Sequence, residues 1–444
     1  MPGRTSSKRV DVPPQVLDHI FRHRERVFFK HRYSPESRLY PLLFVCKEWH
    51  DIAERRLYAS VSLGDEKTVV DEDGEEYEID GEEVCEMFYE TVRKNPRLAS
   101  LVRELRLGTL NHARKETEHH IALLKICKNV EHVEFSGYNG YLLEELKAVL
   151  GAKENLVSLM LSRYGLADKE GDCFFSTSDL FLYMLKWPHL ERIYLHNHTL
   201  AYYDDDDGAL PAPTSVAGRN PALKEVTVRE DSLTPEYLEL LSKMAPGIRH
   251  LEIHIHASSI LALQSSLQTW SPTLAHLNLT VRGEPKNSLA PVCSGLTELR
   301  YLNVESGVIP PSEFVHFKSL EALMYFATSK DAEELARVIQ KKGSLPSLRK
   351  VTCDHTKGKL SSESVKKLRE VCKARKIEFC DSFLTEEESS YYGDSDKEDR
   401  YAYAAYARPT SEEDEEDFVS DEYDEDEDEE DEDEEEEEDS SEDD

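Results

Sequence analysis

The sequence has no C-x-x-C pair, no apolar run near the roughly 18 residues of a membrane helix, and far fewer cations than anions. Eight cysteines (Cys46, Cys85, Cys127, Cys173, Cys293, Cys353, Cys372 and Cys380) are scattered, mostly among apolar neighbours, which predicts buried free thiols rather than a metal site or a disulfide framework. The polar start Met1-Pro2-Gly3-Arg4-Thr5-Ser6-Ser7-Lys8-Arg9 lacks the apolar stretch of a signal peptide, so a cytoplasmic or nuclear protein is expected. There is no phosphate-cradling glycine loop, nucleophile elbow or zinc-hydrolase helix motif. Neither an enzyme in its own right nor any cofactor is expected.

Basic residues number 54 against 90 acidic ones, a net charge of -36. That excludes attraction of the whole chain to nucleic-acid phosphate or to an anionic membrane. The surplus is localised. From Thr385 onward there are 34 acids and three bases (Lys397, Arg400 and Arg408), leaving 56 acids and 51 bases before it, a net of -5. Too little apolar surface and too much like charge predict a disordered acidic tail over 385–444.

What is abundant in the middle is a repeat: an apolar residue, two variable ones, then apolar-x-apolar. It runs Val102-Leu105-Leu107, Val130-Val133-Phe135, Leu156-Leu159-Leu161, Leu190-Ile193-Leu195, Leu223-Val226-Val228, Ile248-Leu251-Ile253, Leu274-Leu277-Leu279, Leu299-Leu302-Val304, Leu320-Leu323-Tyr325, Leu348-Val351-Cys353 and Ala374-Ile377-Phe379. The starts average about 27 residues apart. Between them lie helical stripes: Leu142, Leu143, Leu146, Val149 and Leu150; Tyr237, Leu238, Leu241 and Met244 behind Thr234-Pro235; Leu335, Val338 and Ile339; Val365, Leu368 and Val371. Strand, turn, helix, turn predicts an α/β solenoid over 58–384, with parallel strands inside and helices outside. The pattern resembles the leucine-rich-repeat family, without the asparagine that usually follows the strand, which points to longer repeats with true helices.

In such a strand the paired apolar residues face the stack and the alternating ones face solvent on the concave side. Arg192, Tyr194, His196, Arg229, His250, His254, His276 and Tyr301 are therefore candidate contacts for a protein substrate, being of residue types enriched among binding anchors. His250, His254 and His256 alternate on one strand, but no carboxylate or cysteine nearby in sequence completes a metal-ligand set. Gly64–Glu83 is expected to be an acidic loop, and Asp204-Asp205-Asp206-Asp207 another that lacks the calcium-loop pattern.

Ahead of the repeats, Val12-Pro13-Pro14-Gln15-Val16-Leu17-Asp18-His19-Ile20-Phe21 reads as a short helix begun by proline, and 39–53 places Val45, Trp49 and Ile52 at helical spacing. Arg55–Leu63 alternates as a strand. Pro followed by a short apolar helix, then Leu42-Leu43-Phe44-Val45-Cys46-Lys47-Glu48-Trp49-His50-Asp51-Ile52-Ala53 after a gap, resembles an F-box over 10–57, here with Val12 in place of the usual leucine and a longer, more basic connector over 22–38. The order F-box then leucine-rich repeats is similar to fungal F-box proteins. That resemblance implies docking onto a Skp1-like adaptor, and through it a cullin, by Pro13, Val16, Leu17, Ile20, Leu42, Leu43, Val45 and Trp49. It also implies that the repeats hold a substrate for ubiquitination. Repeats followed by an acidic tail are also similar to the acidic leucine-rich nuclear phosphoproteins, which implies the alternative of a scaffold or chaperone for basic proteins such as histones. Those proteins have no F-box. Ser411, Ser420, Ser440 and Ser441 sit beside acids, the context acid-directed kinases prefer.

Overall fold

The computed structural model describes residues 13–25, 39–64, 67–70, 76–109, 114–162, 174–196, 213–229, 233–354 and 361–381. The chain divides into two units, Met1–Phe383 and Leu384–Asp444, and every described residue belongs to the first. The acidic tail with its serines, the Asp204–Asp207 run, Cys173 and most of the connector after the first helix lie outside the described residues.

The first helix, α1 (Pro14–Glu25), starts on a proline, whose fixed φ and missing N–H suit the first turn. Its i, i+4 pair Leu17 and Phe21 is buried, while the pair Val16 and Ile20 faces out. A 3-10 turn over Tyr40–Phe44, opened by Pro41, leads to α2 (Lys47–Ala59). Leu17, Phe21, Leu39, Ile52 and Ala53 form a small core, with Leu42, Leu43, Trp49 and Leu57 packed partly against it. Phe21 meets Trp49 edge-on at 5.3 Å, and Arg56 clamps Asp18 with bonds of 2.9 and 2.7 Å.

Two expectations change here. Val45 precedes α2 instead of lying on it, because Cys46 is the extended N-cap. Arg55–Ala59 continue the helix, and only Ser60–Leu63 (β1) is strand. Glu, Arg, Leu and Ala are strong helix formers, Leu57 packs on the small core, and Tyr58 stacks on Phe88 at 6.2 Å. Packing in this stretch thus follows the helical period rather than the alternation.

The acidic insertion expected to be a loop is an antiparallel hairpin, β2 (Lys67–Val70) with β3 (Glu76–Ile79). It leads into α3 (Gly81–Lys94), whose N-cap Asp80 accepts from the Glu82 backbone N–H, and then into the single turn α4 (Pro96–Ala99).

The repeats follow as β4 (Glu104–Gly108), α5 (Arg114–Ile126), β5 (His132–Ser136), α6 (Leu143–Gly151), β6 (Ser158–Ser162), α7 (Thr177–Met184), β7 (Arg192–Leu195), α8 (Pro213–Val216) and β8 (Glu225–Val228). They continue with α9 (Pro235–Met244), β9 (His250–His256), α10 (Ile260–Trp270), β10 (His276–Arg282), α11 (Ala290–Cys293), β11 (Tyr301–Glu305), β12 (Ala322–Phe326), α12 (Ser329–Gln340), β13 (Lys350–Asp354), α13 (Ser362–Ala374) and β14 (Glu378–Asp381). β1 and β4–β14 form one open parallel sheet of 12 strands, in chain order. Each strand pairs with the next repeat's strand, so the fold is an α/β leucine-rich-repeat-like solenoid. One continuous core runs from Leu63 to Ile377, fed by the two inward residues of each strand and by the helical stripes.

Ten of the eleven repeat triples coincide with the strand register. The eleventh shifts: Val351 pairs with Phe379 and Cys353 with Asp381, so Ala374 is the exposed end of α13. Among the described residues β14 is the last strand of the sheet, so no neighbour on its far side demands an apolar inward residue.

The asparagine missing from most repeats is replaced by other donors that tie one repeat to the turn before it. Trp187 Nε1 donates to the Leu150 carbonyl (3.0 Å), Trp270 Nε1 to Ala245 (2.9 Å), Thr273 Oγ1 to Ile248 (2.8 Å), and buried Lys153 Nζ to Cys127 (2.9 Å). The exception is Asn220, whose Nδ2 serves both Met184 and Trp187. The Leu150, Cys127, Met184 and Trp187 carbonyls accept a backbone N–H as well, whereas the Ala245 and Ile248 carbonyls, near a helix end and a turn, have these side-chain donors. Gly64 closes β1 at φ +104°, and a Cβ there would lie 1.9 Å from the Gly108 oxygen, so the turn requires glycine.

Candidate protein-binding surfaces

The N-terminal unit sorts its candidate residues into two groups. Leu17 is core, at 3% exposure, and Leu42, Leu43 and Trp49 are half-buried props against it. Pro13, Val16, Ile20 and Val45 are exposed, Val16 at 47% and Ile20 at 45%. Tyr40 and Phe44, which residue patterning alone did not single out, are exposed as well, Phe44 at 73%, and their rings meet edge-on at 5.3 Å. The available signal was Pro41, which starts a 3-10 turn whose tighter winding turns these two rings out of the core. A core of five buried side chains thus carries at least as many large apolar groups in water.

This unit is fixed to the solenoid without a linker, because α2 runs straight into β1. Arg97 grips Glu54 through two bonds of 2.6 and 2.7 Å, which holds the Glu54 carboxyl below its usual range. The Arg103 backbone N–H donates to the Ala59 carbonyl at 2.9 Å.

On the open face of the sheet the register lines side chains into rows. The first row reads Glu104, His132, Ser158, Arg192, Glu225, His250, His276, Tyr301, Ala322 and Lys350. Beside it Tyr194, Thr227, Glu252, Asn278 and Asn303 align, and then His196, Arg229 and His254. All eight candidate residues therefore share this face, within five adjacent strands. Three stack: His250 on His276 at 5.2 Å and 9°, and His276 on Tyr301 at 5.9 Å and 24°.

The charges are mostly spoken for. Arg229 Nε donates to Glu252 Oε1 at 2.6 Å, and the Tyr194 hydroxyl donates to Glu225 at 2.6 Å. Burial pushes His196 down to about 3, with Arg229 and His254 adding to the shift. Burial also lowers His250 and His276, and it pushes the Tyr301 phenol up to about 12. At neutral pH the ladder is uncharged. Among the described residues, Arg192 Nε, Thr227 Oγ1 and Asn303 Oδ1 on this face are buried without a hydrogen-bond partner.

Among the described residues no group of three His, Cys, Asp or Glu side chains could hold a metal ion. His250 is stacked instead, and His256 contacts the Ser258 hydroxyl at 3.0 Å. None of the seven described cysteines is in a disulfide, and burial pushes Cys85 and Cys293 up to about 12. No helix among the described residues is long and apolar enough to cross a membrane.

No family model matches the sequence, and no curated protein matches it significantly. Among solved structures, the chain is similar to a Rad7 and Elc1 complex in yeast, with 16% identity over 64% of this chain and 73% of the other and a TM-score of 0.37. It is also similar to the leucine-rich repeat-containing protein LegL7 from Legionella pneumophila, with 16% identity over 63% and 84% and a TM-score of 0.32.

Proposed function

We propose that this chain is a non-catalytic substrate-recognition subunit of a Skp1–cullin–F-box ubiquitin ligase, working in the cytoplasm or nucleus. In this reading the N-terminal unit docks a Skp1-like adaptor and the open face of the repeats holds a protein substrate. The observation that carries it is the exposure of Val16, Ile20, Tyr40, Phe44 and Val45 on a helical unit with the F-box pattern. A unit this small buries little of its apolar surface by itself, and exposed apolar groups of this size mark interaction surfaces. The bidentate Arg97–Glu54 pair and the linkerless α2–β1 junction would then set the distance from adaptor to substrate.

The test is co-purification with Skp1 of the wild-type chain, Ile20→Asp and Phe44→Asp. Both side chains are exposed, so the variants should melt with the wild type yet lose Skp1. Skp1 retained by both variants, or absent from the wild type, overturns the ligase reading. The alternative, an acidic scaffold for basic proteins such as histones, is favoured by the net charge of -31 from Thr385 onward. It predicts histone binding that disappears on truncation after Phe383 and weakens with salt.

A further inference from the structure

The proposed substrate face contains a cation, Arg192, that no carboxylate among the described residues neutralises. Arg192 is half-buried near the middle of the first row, and its one side-chain polar contact among the described residues is Nη2 to His132 Nδ1 at 3.5 Å. Its Nε is buried without a partner, and no carboxylate among the described residues ion-pairs with it. Glu225, its neighbour in register, is turned to the Tyr194 hydroxyl instead. Elsewhere on this face Arg229 pairs with Glu252, and Arg106 with Glu104 and Glu134. A half-buried guanidinium without a counter-ion is costly. Leaving it so is useful where a ligand brings the anion.

A second vacancy lies along the same row. The stack of His250, His276 and Tyr301 ends at Ala322, Tyr301's register neighbour on β12. Among the described residues Tyr301 has its ring partner on the His276 side, and beyond Ala322 comes Lys350, whose amine is held by Glu378 at 3.1 Å. The row thus drops from three rings to a methyl group, leaving a step one side chain deep beside Tyr301. Asn303, next along β11 on the same face, keeps a buried Oδ1 that accepts from no one.

From this we infer that the open face holds an extended acidic segment of a partner protein, with one carboxylate on Arg192 and an aromatic side chain stacked on Tyr301 over Ala322. From β7 to β12 is five strand spacings, roughly 24 Å, which about seven extended residues cover. The ring would extend the stack by one member, and the segment's N–H groups face Asn303. Charge complementarity selects the carboxylate end, and the step left by Ala322 selects the ring end. The inference rests on the reading of this face as the substrate surface, but it makes no use of the adaptor.

The test uses the full chain and a fluorescein-labelled peptide of about eleven residues, with one glutamate and one phenylalanine about seven positions apart and serine, glycine and alanine elsewhere. Fluorescence anisotropy should show saturable binding that falls about tenfold when glutamate becomes glutamine and by a similar factor when phenylalanine becomes alanine. Arg192→Gln should abolish the preference for glutamate while keeping that for phenylalanine. Ala322→Phe, which fills the step from within, should do the reverse. These are preferences measured within each variant, so a general loss of folding cannot imitate them, and a thermal melt of each variant confirms the fold. Absence of binding, binding indifferent to both peptide changes, or a phosphoserine peptide that binds where the glutamate peptide does not would each overturn the inference. Because Skp1 is absent from the assay, failure here leaves the adaptor result untouched, and the converse also holds.

Discussion

The N-terminal helical unit and the repeat solenoid draw on similar residues and reach opposite balances. The helical unit buries Leu17, Phe21, Leu39, Ile52 and Ala53 and leaves Val16, Ile20, Tyr40, Phe44 and Val45 in water. The solenoid repeats one strand–helix step until its core is continuous, so each inward pair is covered by the repeat on either side. The difference is one of size: buried fraction grows with chain length. A short unit keeps apolar surface for a partner, whereas a long stack needs none.

The largest expected effect probes the solenoid side. Trp270 is fully buried, and its indole N–H holds the Ala245 carbonyl of the repeat before it. Trp270→Ala removes a large core side chain and orphans that carbonyl, which should cost about 3–5 kcal/mol. Chemical denaturation followed by circular dichroism should show one cooperative transition moving as a whole. A change confined to one or two repeats would break the picture of a continuous core.

Next in size is the pair Arg229–Glu252, where Glu252 is almost wholly buried. Arg229→Leu strands a carboxylate inside the sheet face, and breaking a pair this buried should cost about 3 kcal/mol. Arg229→Leu with Glu252→Gln should recover most of it. A double-mutant cycle reads the coupling directly, and additivity within experimental error would show that the pair contributes nothing.

A third effect depends on pH. His196 and His120 both titrate near 3 in the folded chain, chiefly because burial disfavours the charged form, against about 6.5 when unfolded. Above pH 6.5 both are neutral in either state and their contribution is complete. As pH falls below 6.5 the unfolded chain takes up protons that the folded chain refuses, so stability drops toward the folded value. Between pH 6.5 and 5 the two together should account for about 3–4 kcal/mol at most. Carboxylates held low, such as Glu104 and Glu54, do not contribute until lower pH. Urea midpoints measured across that window should slope less in His196→Phe, and an unchanged slope would remove His196 from the account.

Much of this was legible in the residues, and the reason is periodicity. The spacing of Leu251 and Ile253, or Leu277 and Leu279, reports a strand because each apolar position repeats against an identical neighbour one period away. Where no neighbour repeats, the pattern misleads. Arg55–Ala59 alternates like a strand but is helix, because Leu57 and Tyr58 pack on opposite elements, the small core and Phe88. The last repeat slips by two residues, because β14 has one neighbour instead of two among the described residues. The open-face residues were legible as a set, since alternation alone assigns their side. Their states were not. That Arg229 pairs with a carboxylate while Arg192, among the described residues, pairs with none depends on rotamers chosen across strands some 30 residues apart in sequence.

The smallest effect on stability sharpens the comparison most. Phe44 is largely exposed and has one ring neighbour, Tyr40. Phe44→Ser should therefore shift the unfolding midpoint of the isolated chain by no more than about 0.5 kcal/mol, the range of ordinary surface substitutions. The solenoid offers no equivalent position among its inward residues, where the same change at Phe135 or Phe314 removes a fully buried ring and should cost about 3–5 kcal/mol. If the helical unit keeps its apolar surface for a partner, Phe44→Ser is silent in a melt and damaging in a Skp1 pull-down. If the melt moves by several kcal/mol instead, Phe44 belongs to a core of the chain itself, and the contrast between the two regions collapses.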